Sequence, residues 1–250
     1  MMKKVELEEY SHCSDDCYCL RSKPKSIGYI KKKRWLEEQI QNGLKYIKLL
    51  EDSKVVGFIE YTPIEYSTRV IYGEDYLVIH CLWVQQTGNG YASSLIKHCI
   101  EEAKRLKKCG VAVITNNQTS WTPSKEIFLK NDFEIIDSAL DDFDLLVYKI
   151  GGTELPYFPT NWVERWNRYS ELTILRMPQC PYLEIATDNV LEAAHKLDLP
   201  ATIIELKDRE ELLQLSPTPY GVYGVVFQQK LITFHRLTVH SAIKKLRCPI

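Results

Sequence analysis

Charge of one sign is scarce in this chain. Its 250 residues carry 32 Lys+Arg against 33 Asp+Glu, a net charge of −1. A nucleic-acid partner selects a basic excess, so none is expected. Long apolar runs are missing too. No stretch approaches the ~20 residues that span a bilayer. The opening Met-Met-Lys-Lys-Val-Glu-Leu-Glu has no apolar signal core. The expectation is a cytoplasmic protein with no membrane partner, whose eight cysteines stay reduced. What remains is ordinary for a globular protein: 45% hydrophobic and 26% charged residues, enough for one large domain or two small ones.

Two familiar phosphate motifs are also absent. A Walker A loop ends in Lys-Ser or Lys-Thr, and none follows the glycine turn at Gln85-Gln-Thr-Gly-Asn-Gly90. A dinucleotide fingerprint would place its third small residue at Ser93 and would open a βαβ unit. Here the preceding segments look like hairpin strands. What is present is a buried-looking strand at residues 76–84, the glycine turn, and an amphipathic helix over 91–107. Such a turn aims backbone N–H groups, and the positive end of the helix dipole, at one point. That is a cradle for a phosphorylated ligand, or else a tight turn with no ligand.

The helix is predicted from Ala92, Leu95, Ile96, Cys99, Ile100, Ala103 and Leu106, which fall on one face. Lys45–Leu50 and Val55–Tyr61 read as a hairpin. A strand over 110–116, a helix over 124–130, a strand from 131 and a closing strand over 143–150 follow. The run Lys31–Arg34 reads as the solvated face of a helix carrying Trp35, Leu36, Ile40 and Leu44, or as a phosphate contact.

The pattern Q-x-x-G-x-G (Gln85, Gly88, Gly90), preceded by Leu82 and Val84 of L-x-V, resembles the acyl-CoA loop of the GNAT N-acetyltransferase superfamily. The resemblance covers roughly residues 1–150 and implies an enzyme of mixed α/β (α+β) fold, with acetyl-CoA as cofactor and a small-molecule or peptide amine as acceptor. It implies that Leu82 and Val84 end a splayed strand along the pantetheine arm. Gln85, Gly88, Asn89, Gly90 and Tyr91 would form the pyrophosphate turn. His80 falls where many of the family carry a Glu that orients a water or acts as base, and Glu60 on the neighbouring strand is the second candidate base. Either could instead be structural: a core histidine, an outward-facing Glu. Asn117 is expected to bond the pantetheine or the substrate, or to cap its own turn. The sequence departs from the family where a Tyr commonly donates a proton to the thiolate; here Phe128 stands. A non-catalytic acyl-CoA sensor is therefore kept as an alternative.

Residues 151–170, rich in Gly and Pro, read as a linker in which Trp162 and Trp166 form a short docking helix. From 171 to 250 the order becomes βαβα then ββα. With Cys180-Pro181-Tyr182 opening the first helix and Thr218-Pro219 where a cis-proline would stand, this half resembles a thioredoxin-like, YoaP-like domain. A thiol at a helix start is activated, so Cys180 is a redox candidate. No Cys stands three residues on, at Leu183, so a relic site used for packing is the alternative. His12-Cys13-x3-Cys17-x-Cys19 lacks a second pair of ligands, and no metal is expected. Whether two copies form a homodimer is left open.

Overall fold

A computed structural model describes residues 5–10, 19, 23–140 and 142–248. The described residues form two compact units. The first draws on residues 1–18, 36–67 and 71–158; the second on 19–35, 68–70 and 159–250. The first unit ends at Phe158, and two pieces of the first half of the sequence belong with the second unit.

The first unit is built on a mixed sheet of seven strands: β1 (Val5–Glu9), β2 (Lys45–Glu51), β3 (Lys54–Pro63), β4 (Tyr76–Val84), β5 (Gly110–Asn116), β6 (Glu134–Ala139) and β7 (Phe143–Lys149). Their order is β1-β2-β3-β4-β5-β7-β6. Only β4 and β5 run parallel, joined by helix α2 (Tyr91–Arg105); the other pairs are antiparallel. Strand β5 is buried along its whole length, as its unbroken apolar run Val111–Ile114 requires of a central strand. The sequence reading missed β1. Its five residues are all exposed, on the sheet's edge.

Helix α2 lays Leu95, Ile96, Cys99, Ile100 and Ala103 on Ile47, Leu49, Ile59, Tyr61, Leu77, Ile79, Val111 and Val113. Burying each large aliphatic side chain of this kind contributes roughly 1.5–3 kcal/mol. The predicted stripe is corrected at its ends. Ala92 is half-buried, and Leu106 is exposed as the C-cap. Burial holds the Cys99 thiol well above its usual pKa. Helix α3 (Lys125–Leu129) is short and buries Phe128 edge-on to Phe133 at 5.2 Å.

Helix α1 (Ile27–Ile40) ends before Leu44 and is not uniformly solvated along Lys31–Arg34. Lys32 is buried, with its ammonium 4.3 Å from the Trp35 ring centroid.

In the second unit, β8 (Leu172–Arg176), β9 (Ala201–Glu205), β10 (Tyr223–Phe227) and β11 (Lys230–Thr233) form a sheet of order β11-β10-β8-β9. Strands β8 and β9 are parallel; β10 runs antiparallel to both β8 and β11. Helices α4 (Trp162–Trp166), α5 (Leu183–Lys196), α6 (Arg209–Leu215) and α7 (Val239–Arg247) complete it. Asp208 caps α6 by accepting from the Glu211 N–H at 2.9 Å, as its sequence position foretells. Helix α4 does more than dock. Arg165, fully buried, donates to the Ser216 carbonyl at 3.0 Å, and Trp166 Nε1 donates to that of Pro217 at 2.8 Å. Buried donors thus find the acceptors that the turn after α6 presents.

Candidate active site

Strand β4 pairs with β5 only from Tyr76↔Gly110 to Ile79↔Val113, although β4 continues to Val84 and β5 to Asn116. Beyond Ile79 the two strands part. On its other side β4 stays paired with β3, but the register jumps. Glu60 faces Cys81 while Tyr61 faces Ile79, leaving His80 as the extra residue. A bulge of this kind bends a strand and re-aims a side chain. It lies where β4 leaves β5, so one irregularity both opens the sheet and turns His80.

The bulge brings the two candidate bases together. His80 Nδ1 lies 3.4 Å from Glu60 Oε1, and its Nε2 lies 2.9 Å from Ser67 Oγ. All three side chains are buried. A carboxylate on the Nδ1 side favours the proton on Nδ1 and leaves Nε2 to accept from the Ser67 hydroxyl. Ser67 was not foreseen. It ends the turn Ile64–Tyr66, where its N–H donates to the Ile64 carbonyl at 3.1 Å, and nothing local in the sequence ties it to His80. On the same face of β2 and β3, Tyr46 stacks on Phe58 at 4.9 Å, and Phe58 stacks on Trp83 at 5.9 Å.

A cavity of about 260 Å³ opens where the strands part. Leu82, Val84, Gly88, Gly90 and Tyr91 line it, as expected from sequence, together with Gln86, Thr87, Ala92, Ser93, Pro123, Ser124 and Ile127, which were not foreseen. Leu82 and Val84 also pack on the α2 core, so the wall they form is rigid. Gly88 and Gly90 have φ of 88° and 76°, and a Cβ on either would meet no protein atom within 4 Å. The left-handed backbone, not crowding, calls for glycine here. Ala92 and Ser93 lie in the first helical turn, where N–H groups have no acceptor within the helix. Asn131 Nδ2 donates to Ser93 Oγ at 3.0 Å and ties α3 to that turn.

His80 and Glu60 are not among the lining residues, and three further expected residues also lie elsewhere. Gln85 is exposed, and its backbone N–H donates to the Val56 carbonyl at 2.7 Å. Asn89 is exposed and bonds Gln86 Oε1 at 3.2 Å, inside the loop. Asn117 is exposed and outside the cavity lining; the ordered residue is its neighbour Asn116, whose N–H donates to Thr122 Oγ1 at 2.9 Å. Tyr91 lines the cavity, but its hydroxyl donates to Glu51, so only its ring and backbone serve there.

In the second unit, helix α5 begins at Leu183, so Cys180 precedes it rather than opening it. Cys180 is half-buried. No peptide bond among the described residues is cis, so Pro219 is trans, against the expected cis form. Among the described residues no cluster has the makeup of a metal site, and no helix is long and apolar enough to cross a membrane. His12, Cys13 and Cys17 fall outside the described residues.

An open-ended strand pair, a left-handed glycine turn and a helix N-terminus thus meet at one cavity. Most of its lining falls in a segment that matches a known family: residues 14–122 fit the model described as the Acetyltransferase (GNAT) family. The protein is an enzyme, an acetyltransferase. Over nearly its whole length it is similar to the "Uncharacterized N-acetyltransferase YoaP" of Bacillus subtilis (strain 168), 27% identical over 234 residues that make up 92% of either chain. Among solved structures it is similar to the N-acetyltransferase PseH of Campylobacter jejuni in complex with acetyl coenzyme A. There the identity is 18% over 59% of this chain and 100% of that one, with a TM-score of 0.45. It is also similar to the PaiA N-acetyltransferase of Thermoplasma acidophilum in complex with coenzyme A, at 16% identity over 59% of this chain and 99% of that one, with a TM-score of 0.42.

Proposed function

We propose that the protein moves the acetyl group of acetyl-CoA to a primary amine of a small molecule or peptide, with the donor along the open end of β4 and its pyrophosphate at residues 88–91. One observation carries this: β4 leaves β5 at Ile79 next to a cavity floored by two left-handed glycines and the start of α2. The cavity fits the donor's chemistry. Leu82, Val84, Pro123 and Ile127 give an apolar wall suited to a pantetheine arm, and the first-turn N–H groups suit phosphate. Backbone N–H groups on the side of β4 that faces away from β3 can polarise the thioester carbonyl. His80, held between Glu60 and Ser67, takes up the amine's proton as the new amide bond forms.

The second unit reads best as thioredoxin-like. Its sheet order, with a parallel β8–β9 pair and an antiparallel β10–β11 hairpin, supports this. The trans Pro219 and the place of Cys180 before α5 favour a packing role over a dithiol cycle.

Calorimetry tests the donor site. Gly90→Glu puts bulk and negative charge where phosphates would lie, and should abolish acetyl-CoA binding. Unchanged affinity in that variant would sink the assignment.

A further inference from the structure

Glu60, Ser67 and His80 come from three successive segments of the first unit: β3, the turn that follows it, and β4. Ser67 Oγ lies 2.9 Å from His80 Nε2, and His80 Nδ1 lies 3.4 Å from Glu60 Oε1. A hydroxyl bonded to one imidazole nitrogen, with a carboxylate against the other, is the arrangement that makes a serine nucleophilic. It is recognised by geometry, whatever the order of the three residues in the chain. With Nδ1 protonated beside Glu60, the Ser67 hydroxyl donates to Nε2, so its proton already points at the atom that would take it. The Glu60 contact is the longer of the two, as catalytic contacts often are before substrate binds.

The position of the three residues also suits an acyl group. His80 is the bulged residue, directly after Ile79, the last residue of β4 that pairs with β5. A group entering where the strands part meets His80 at the fork, and Ser67 is one hydrogen bond away. The arrangement also meets a chemical need. Transfer from a thioester requires a proton for the departing sulfur, and the buried Phe128 ring has none to give. The imidazolium formed when His80 takes the Ser67 proton would hold that proton beside the leaving sulfur.

We propose that Ser67 is a nucleophile, and that the acetyl group passes through an ester on its hydroxyl oxygen before it reaches the amine. The inference rests on acetyl-CoA being the donor at the open end of β4. In the first step Ser67 Oγ attacks the thioester carbonyl while its proton moves to His80 Nε2. The Oγ–C bond forms, the C–S bond breaks, and the proton passes from Nε2 to the CoA sulfur. In the second step the amine nitrogen attacks the ester carbonyl. The N–C bond forms, the C–Oγ bond breaks, and the amine's proton returns through Nε2 to Oγ. Glu60 stabilises the imidazolium in both steps. CoA therefore leaves before the amine reacts.

Isotope exchange in the full chain, with no amine present, tests it. Given unlabelled acetyl-CoA and radiolabelled CoA, the protein should move label into acetyl-CoA, because CoA can attack the ester in reverse. Acid-quenched protein should carry acetyl on the peptide that contains Ser67. Hydroxylamine should remove it, as it removes an ester and not a lysine amide. Ser67→Ala should abolish the exchange, and His80→Gln should lower it by ~10²-fold or more. Acetyl-CoA affinity by calorimetry should be unchanged in both. No exchange by native protein that binds acetyl-CoA would overturn the ester, and this measurement needs no variant to fold. Native-rate exchange in folded Ser67→Ala, or acetyl mapped to another residue, would overturn it too. Native protein that fails to bind acetyl-CoA in the calorimeter would overturn the donor assignment and the ester with it, an outcome distinct from binding without exchange.

Discussion

Lys31 Nζ lies 2.6 Å from Glu184 Oε1, joining the first turns of α1 to the start of α5 across more than half the sequence. Nearby, a Cβ on Gly28 would fall 2.0 Å from the Pro181 carbonyl oxygen. Helix α1 therefore lies directly on the Cys180–Tyr182 turn, and the second unit is incomplete without residues from the first forty.

Proteolysis reads this interleaving. Residues Gly151 to Leu155 are exposed, whereas Tyr157 is paired with Tyr72 in both directions, at 2.9 and 3.0 Å. Limited digestion should cut first at 151–155. The two products should still co-elute on gel filtration, because residues 19–35 and 68–70 of the first product belong to the second unit. Products that separate without denaturant would show that the second unit stands without those segments.

Changing His80 or Glu60 to Gln should lower kcat/KM on the true acceptor by ~10²-fold, with acetyl-CoA affinity unchanged. Their adjacency adds an expectation: the double variant should cost little more than the worse single one, since both serve one proton transfer. Additive losses would mean two separate roles. Full activity of both single variants across about pH 6–9 would mean that neither is a base.

Phe128 tests how far the family pattern transfers. The ring is fully buried, edge-on to Phe133. Phe128→Tyr would force a hydroxyl into a filled core, at a cost of about 1–3 kcal/mol. A lowered Tm with no gain in kcat is expected. An unchanged Tm with a higher kcat would instead show that a hydroxyl at this position reaches the leaving thiolate.

Iodoacetamide should label Cys180 well before Cys99. Cys180 is half-buried, while Cys99 is fully buried under α2, with its thiol held in the protonated form by that burial. Mass spectrometry of the native protein at timed intervals reads the order. Cys180→Ser should leave acetyl-CoA binding intact, since every residue lining the donor cavity belongs to the first unit. Labelling of Cys180 no faster than that of Cys99 would show that its thiol is closed to solvent in the native protein.

Sequence alone determined the elements whose pattern is local. The α2 stripe, the apolar run of β5, the Asp208 cap and the left-handed glycines at 88 and 90 each follow from residues a few places apart, because helix period, strand burial and φ preference are near-neighbour effects. They suffice to place the glycine turn at the start of a helix. Tertiary structure decided the rest. The bulge that makes His80 the extra residue depends on how β3 and β4 settle their register, which no single strand specifies. Asn116 rather than Asn117 is ordered because Thr122 reaches back to it, and Ser67 meets His80 through a turn thirteen positions away. The assignment of 19–35 and 68–70 to the second unit arises from contacts with residues far along the chain, and a composition shift at 151–170 carries no record of them. Local patterns thus located the glycine turn and the helix after it, and long-range packing chose the residues around the candidate base.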